Sequence, residues 1–317
     1  MFNVHLDTVA GGASPSIDGG RFLGRGAIDA KGPAVALLAG IRTAAEAEPG
    51  IADGSSVLIQ PVAGEEGGAM RTIGTRPLVR RGFVGRLNIF CEPTGLRYLP
   101  RASAAATALV RVEGRDAIDD RPDRGHNATV LLGFLAQHLA RSLSPPAGGS
   151  VCIGGIHTGA LHNRVYGTGE LLVNIAYPSQ DEGRRLELAL EERLGDGLAR
   201  FARCFSDAAS VTRLEWLKHG LPTLASTDPG CEALVEGGAG IGRWRDDEPA
   251  FACDAIWMHD VPGSFTAVLG PGDLALNHAH APEEFADIGE LEDFASAIAR
   301  LLVGFARARA ERRDGRP

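Results

Sequence analysis

Apolar and polar positions along the first hundred residues alternate between short β-type runs and longer helical stretches. FNVHL near the start, VLIQPV (57–62) and LNIFC (87–91) are apolar or β-branched runs bounded by Gly and Pro, which predicts strands. DAKGPAVALLAGIRTAAEA (29–47) is rich in Ala and Leu behind a cap-type Asp29, which predicts a helix. Strands alternating with helices predict an α/β layer with a mostly parallel sheet.

The middle of the chain carries a different rhythm. TALVRV (107–112), VCIGGI (151–156), GELLVNIAY (169–177) and SVTRLEWL (210–217) read as strands, and 126–143 and 179–204 as helices. In the second helix Ser179 and Glu182 form an S-x-x-E capping box, and Leu186, Leu190, Leu194 and Leu198 recur along one stripe. The order βαββαβ is that of the ferredoxin-like split unit. In the tail, FTAVLGPG (265–272) reads as strand and turn, 290–308 as a long amphipathic helix, and RAERRDGRP (309–317) as a frayed charged end. The resulting scheme is one catalytic-type domain in two parts, 1–97 and 218–317, interrupted by an inserted domain over 98–217.

Composition narrows the function classes. A chain of 317 residues has room for about two domains, at roughly 100–200 residues each. With 44% hydrophobic and 23% charged residues, it is neither disordered nor fibrous. A net charge of −8 argues against nucleic acid as a partner, because phosphate binding calls for a basic face. No apolar run approaches a membrane span and the first residues, MFNVHLD, carry no basic segment followed by an apolar run, so neither a membrane span nor a signal peptide is expected and a cytoplasmic location is the default. Cys91, Cys152, Cys204, Cys231 and Cys253 are odd in number and contain no CxxC pair, which fits reduced structural thiols. Only two of the 32 basic residues are lysines, Lys31 and Lys218.

Five places near the ends of predicted strands present metal-ligand side chains: His5 with Asp7, Asp29, the pair Glu65–Glu66, Glu92 and His280. Ligands at the mouths of parallel strands converge on one crevice. Imidazole and carboxylate without thiolate suit a hydrolytic zinc, cobalt or manganese site. Each element alone has a plainer reading. Asp29 in isolation reads first as a helix N-cap, and paired glutamates are usually a solvated face, as at Glu191–Glu192 and Glu283–Glu284. Glu65–Glu66 differ from those pairs because they follow an apolar strand and precede Gly-Gly.

In order along the chain, HLDT (5–8), GRGAIDAKG (24–32), GEEGG (64–68), CEPTG (91–95) and AHAPEE (279–284) resemble the metal-site motifs of one family of di-zinc amidohydrolases. It is the acetylornithine deacetylase / succinyl-diaminopimelate desuccinylase / aminoacylase / glutamate carboxypeptidase family. CDA (253–255), GPG (270–272) and the inserted βαββαβ unit, which is the family's lid and dimerisation domain, are similar too. The resemblance implies that His5, Asp29 and Glu92 hold one zinc and that Asp29, Glu66 and His280 hold the other, Co2+ or Mn2+ being possible replacements. It further implies that Asp7 orients the His5 ring and that Glu65 is the general base for a metal-bridged hydroxide. The implied substrate is a small N-acyl amino acid or peptide-like molecule, and the implied assembly a homodimer through the lid.

Three departures bear on the substrate. Aligning GRDAIDDRPDRGHNA (114–128) puts Ile118 where the family's lid has a carbonyl-binding histidine, and His126 lies eight residues on. Asn163 keeps the family's asparagine, a carbonyl donor, whereas the carboxylate-clamping arginine aligns with Ala176; Arg164 and Tyr166 flank Asn163. The first ligand motif also begins at residue 5, so the front is short for the family, by an alternative start or by loss of an early helix and strands. Two other readings stay open: an amide-forming or cyclising enzyme on the same metal site, and an inactive metal-binding homologue with a structural or regulatory role. The retained Glu65 argues against the second.

Overall fold

A computed structural model describes residues 1–51, 56–67, 74–205 and 210–313, with side chains to 309. In chain order the principal elements are β1 (Phe2–His5), β2 (Ser16–Asp18), β3 (Arg21–Leu23), α1 (Lys31–Ala47), β4 (Ile59–Val62), α2 (Thr75–Arg80) and β5 (Leu87–Phe90). Then come β6 (Ala104–Glu113), α3 (Ala128–Ser142), β7 (Ser150–His157), β8 (Gly169–Tyr177), α4 (Gln180–Cys204) and β9 (Val211–Lys218). The chain ends with β10 (Phe265–Val268), β11 (Phe285–Asp287) and α5 (Ile288–Arg313). It divides into two compact units, Met1–Ala102 with Leu224–Glu248 and Cys253–Pro317, and Ser103–Thr223 with Pro249–Ala252. Among the described residues no helix is long and apolar enough to cross a membrane.

The first unit is built on a sheet of order β10-β5-β1-β4 with every pairing parallel. β1, β5 and β10 are buried at all four of their positions, as a parallel sheet covered on both faces requires. The polar side chains inside it are satisfied: Asn3 Nδ2 donates to Gln60 Oε1 at 3.0 Å and to Thr75 Oγ1 at 2.9 Å. Helices α1 and α5 pack closely, because a Cβ at Gly40 would lie 2.4 Å from the Ala295 carbonyl oxygen. Ile28, Leu37, Ile89, Phe265, Phe294 and Ile298 fill the core. A second, antiparallel sheet of order β11-β3-β2 was not legible in the pattern, since its strands are three residues long and β2 and β3 are largely exposed. Residues 314–317, the end of the charged tail, and Gly68 of the GEEGG motif lie outside the described residues.

The second unit follows the order β6, α3, β7, β8, α4, β9, and its strands form an antiparallel sheet β9-β6-β8-β7. Leu171, Val173, Ile175 and Tyr177 alternate inward from β8. Leu132, Leu135 and Leu139 of α3 are buried, as are Leu186, Leu190, Leu194 and Phe201 of α4. The capping serine expected for α4 is in place, with Ser179 Oγ accepting from the Glu182 N–H at 3.3 Å. Ala117–Ile118 and Arg164–Val165 form a short antiparallel ribbon in which Ile118 lies opposite Arg164.

Candidate metal centre

Strand order reverses about β1, because the chain passes from β1 to β4 on one side and returns to β5 on the other. Open α/β sheets bind their ligands outside the carboxyl ends of the strands at such a switch point. His5 is the last residue of β1, Glu65 and Glu66 lie just beyond β4, and Glu92 lies two residues beyond β5. Asp29 does not cap α1. The N-cap is Ala30, with no side-chain hydrogen bond, and the Asp29 carboxylate turns to the two histidines instead.

Its Oδ1 is 2.8 Å from His5 Nε2 and its Oδ2 is 3.0 Å from His280 Nε2. Glu92 Oε1 stands 3.7 Å from His5 Nε2, and Glu66 Oε2 stands 3.1 Å from His280 Nε2. Two donor sets result, His5–Asp29–Glu92 and Asp29–Glu66–His280, each with ligand atoms within 4.8 Å of one another. His5 Nδ1 faces the Asp7 main-chain carbonyl at 3.1 Å. A carbonyl only accepts, so Nδ1 carries a proton there, and Nε2 is the nitrogen that faces Asp29 and Glu92. The Asp7 carboxylate is farther from Nδ1, at 3.7 Å, and accepts the Glu66 N–H at 3.1 Å.

The cluster holds more negative charge than its burial tolerates. Burial pushes the Glu92 carboxyl up to about 7 and moves Glu65 well above the ordinary range, with Glu92 and Asp254 adding to the Glu65 shift. Glu66 rises through burial and then through Asp29. Burial opposes a charge on His5, yet its hydrogen bonds to Asp29 and Glu92 push its pKa up to about 12. The hydrogen bond to Asp29 raises His280, and in turn Asp29, though burial opposes it, is held far below the usual carboxylate range by both histidines. Asp7 Oδ1 and Glu66 Oε1 are buried with no hydrogen-bond partner. Orphaned carboxylate oxygens beside two imidazoles and three proton-seeking carboxyls are the donor set of divalent cations, so the residues present fit a metal.

The CDA and GPG segments also lie at this end of the sheet. Asp254 is half-buried beside Glu65 and Glu92, and its Oδ1 accepts the Trp257 indole N–H at 3.1 Å. The GPG turn touches the ligand strand, since a Cβ on Gly270 would lie 2.4 Å from the Glu92 carbonyl oxygen. The doublet Glu283–Glu284 is not the solvated pair its spacing suggested. Glu283 is exposed, but Glu284 is 1% exposed and its Oε1 accepts the N–H groups of Ile28 and Asp29 at 3.1 and 3.2 Å.

The remaining candidates lie in the second unit. Asn163 is exposed at the edge of the short ribbon, and Ile118 is 58% exposed. Arg164 is engaged by the Asp116 carboxylate and stacks on the Tyr166 ring, 5.3 Å from its centroid. His126 Nδ1 accepts the Arg115 N–H at 2.7 Å, and Ala176 is half-buried on β8.

Residues 1–303 match Peptidase family M20/M25/M40. The chain belongs to this family. Over 142 residues it is 34% identical to a LysW-lysine/LysW-ornithine hydrolase of Aeropyrum pernix, a match covering 43% of this chain and only 37% of that relative. At 13% identity human carnosine dipeptidase 1 has the same fold, with a TM-score of 0.72 over 96% of this chain and 80% of that one. A tripeptidase of Staphylococcus aureus, 16% identical, superposes with a TM-score of 0.67 over the same shares. Enzymes of the M20 family are metal-dependent hydrolases, and the paired donor sets lie in the part of the chain that the family match covers.

Proposed function

We propose that this M20 chain hydrolyses an amide bond in a small amino-acid-like or peptide-like substrate, using two divalent ions, zinc by preference. His5, Asp29 and Glu92 would hold one ion and Asp29, Glu66 and His280 the other, with Asp29 shared. The observation that carries this reading is the pair of three-residue donor sets meeting at one carboxylate. When bound, such ions supply Lewis acidity, which makes a water nucleophilic near neutral pH and polarises the amide carbonyl.

The residues divide the remaining work. Glu65 and Glu66 are adjacent, so their side chains diverge; Glu66 reaches His280 while Glu65 sits near Glu92 and Asp254. A carboxyl whose proton affinity is raised in this way is suited to take a proton from water and return it to a leaving amine. Asp7 fixes the backbone of Glu66 through its carboxylate and the His5 ring through its carbonyl.

The element order β6, α3, β7, β8, α4, β9 and the sheet order β9-β6-β8-β7 support reading the second unit as a ferredoxin-like lid through which the chain would form a homodimer. Asn163 would donate to the substrate carbonyl. Ile118 cannot donate a hydrogen bond and Ala176 cannot clamp a carboxylate, so the substrate differs at that end from the simple N-acyl amino acids. The name of the Aeropyrum pernix relative supports an amino acid as the leaving group. The five free thiols fit a reducing, cytoplasmic setting.

Glu65→Gln tests the assignment. The variant should keep both metals by elemental analysis and lose at least ~10²-fold in turnover of a peptide and N-acyl amino acid panel, the usual size of a general-base contribution. A fully active variant refutes the role of Glu65.

A further inference from the structure

Arg25 and Glu284 come from distant parts of the first unit, yet they meet beneath the donor cluster. Arg25 Nη1 donates to Glu284 Oε2 at 2.8 Å, and the two side chains are only 11% and 1% exposed. Each partner also reaches the backbone of a different proposed ligand. Glu284 Oε1 accepts the N–H groups of Ile28 and Asp29, and Arg25 Nη2 donates to the main-chain carbonyl of His280 at 3.1 Å. The Glu284 carbonyl in turn accepts the Gly24 N–H at 2.9 Å, so the strap is closed by main chain as well.

His280 needs such a restraint. Its φ is +67°, the left-handed region that non-glycine residues enter only at a cost of about 1–3 kcal/mol unless their surroundings hold them there. Its side chain is 54% exposed, so little packing fixes it from the solvent side. Asp29 is aimed at His280 from a loop whose two consecutive N–H groups would otherwise be buried donors without an acceptor.

We propose that the Arg25–Glu284 ion pair is a positioning clamp that holds the Asp29 and His280 main chains in register, so that Asp29 Oδ2 and His280 Nε2 face one cation. The proposal rests on the two-metal reading given above. Neither residue belongs to either donor set, and both act through the main chain of proposed ligands. A bidentate guanidinium suits the task, since one fork arm binds the carboxylate while the other reaches a carbonyl on a separate segment. Outer partners of this kind typically change metal affinity by 10–100-fold when removed.

The test measures zinc affinity and stoichiometry of the whole chain by competition with a chromophoric chelator, beside thermal unfolding of the metal-free protein. Glu284→Gln keeps the volume and one acceptor oxygen but loses the charge that orients Arg25, and Arg25→Lys keeps the charge but not the fork. Each should weaken one of the two zinc ions by about 10–100-fold while the metal-free Tm stays within a few degrees of wild type. A merely structural pair would lower the metal-free Tm and leave both zinc affinities alone, and that result overturns the clamp. If Glu284→Gln fails to fold, Arg25→Lys decides alone by the same readout. A wild-type chain that takes up no zinc overturns the two-metal reading and the clamp with it; one that binds two ions, as its variants do with unchanged affinity, overturns the clamp alone.

Discussion

Replacing Glu92 by glutamine should stabilise the metal-free protein at alkaline pH while damaging the metal site. The Glu92 carboxyl ordinarily titrates at 4.5 and is pushed up to about 7, chiefly by burial. A carboxyl whose folded value lies above its unfolded value binds protons more tightly when folded, so its contribution to stability is complete below 4.5 and is lost as the pH rises through about 7. At about 1.4 kcal/mol per pH unit, the gap amounts to about 3 kcal/mol of destabilisation once both states are ionised. Glutamine fills the same volume, carries no charge, and keeps an oxygen where Glu92 Oε1 approaches His5.

The assay is thermal unfolding in chelator at two pH values. At pH 8 Glu92→Gln should melt roughly 6–12 °C above wild type, from about 2–4 °C per kcal/mol in a domain of this size. Near pH 4.5, where the wild-type carboxyl is protonated in the folded state, the difference should shrink toward zero. Added zinc should reverse the order at pH 8, because wild type gains a ligand charge that the variant lacks. A variant that melts at or below wild type in chelator at pH 8 refutes the claim that this carboxylate is destabilising without metal.

Two further outcomes follow from the same geometry. Zinc uptake at pH 7 should release protons, more than one per chain, because His5, with its pKa near 12, and the Glu92 carboxyl, pushed up to about 7, must give up protons to bind; calorimetry in buffers of different ionisation enthalpy measures this, and zero release contradicts it. The two ions should also leave in order on dilution into chelator, the one held by Asp29, Glu66 and the half-exposed His280 first, and the one held by the buried His5, Asp29 and Glu92 later; a single exchange phase for both metals would contradict this.

The parts of the fold written in apolar pattern were legible. Strands β1, β4 and β5, helices α1, α3 and α4, and the order of the second unit follow from runs and stripes whose burial is local to the element. The β11-β3-β2 sheet was not, because a three-residue exposed strand has no period to read and is fixed only by its partners. Asp29 was ambiguous for a related reason. An acid before a helix caps it when its side chain folds back on the first turn, and here the pull of two imidazoles, His5 at the end of β1 and His280 in the turn after β10, wins. Glu284 was misjudged because a glutamate doublet says nothing of which member turns inward. That is decided by Arg25 and the Asp29 N–H, some 255 residues away in sequence.

These cases share a physical cause. Hydrophobic burial is additive and is readable residue by residue, whereas the fate of a charged side chain depends on which other charges reach it. The acidic crowd at the carboxyl ends of β1, β4 and β5 is unstable in isolation, as the raised values of Glu65, Glu66 and Glu92 record. A cation that binds only the folded chain reverses that penalty and adds stability in proportion to its occupancy. On the two-metal reading, folding of the first unit and loading of its metal would therefore be coupled through Asp29. For that reason the clamp on the Asp29 backbone and the charge on Glu92 should report on metal binding before they report on anything else.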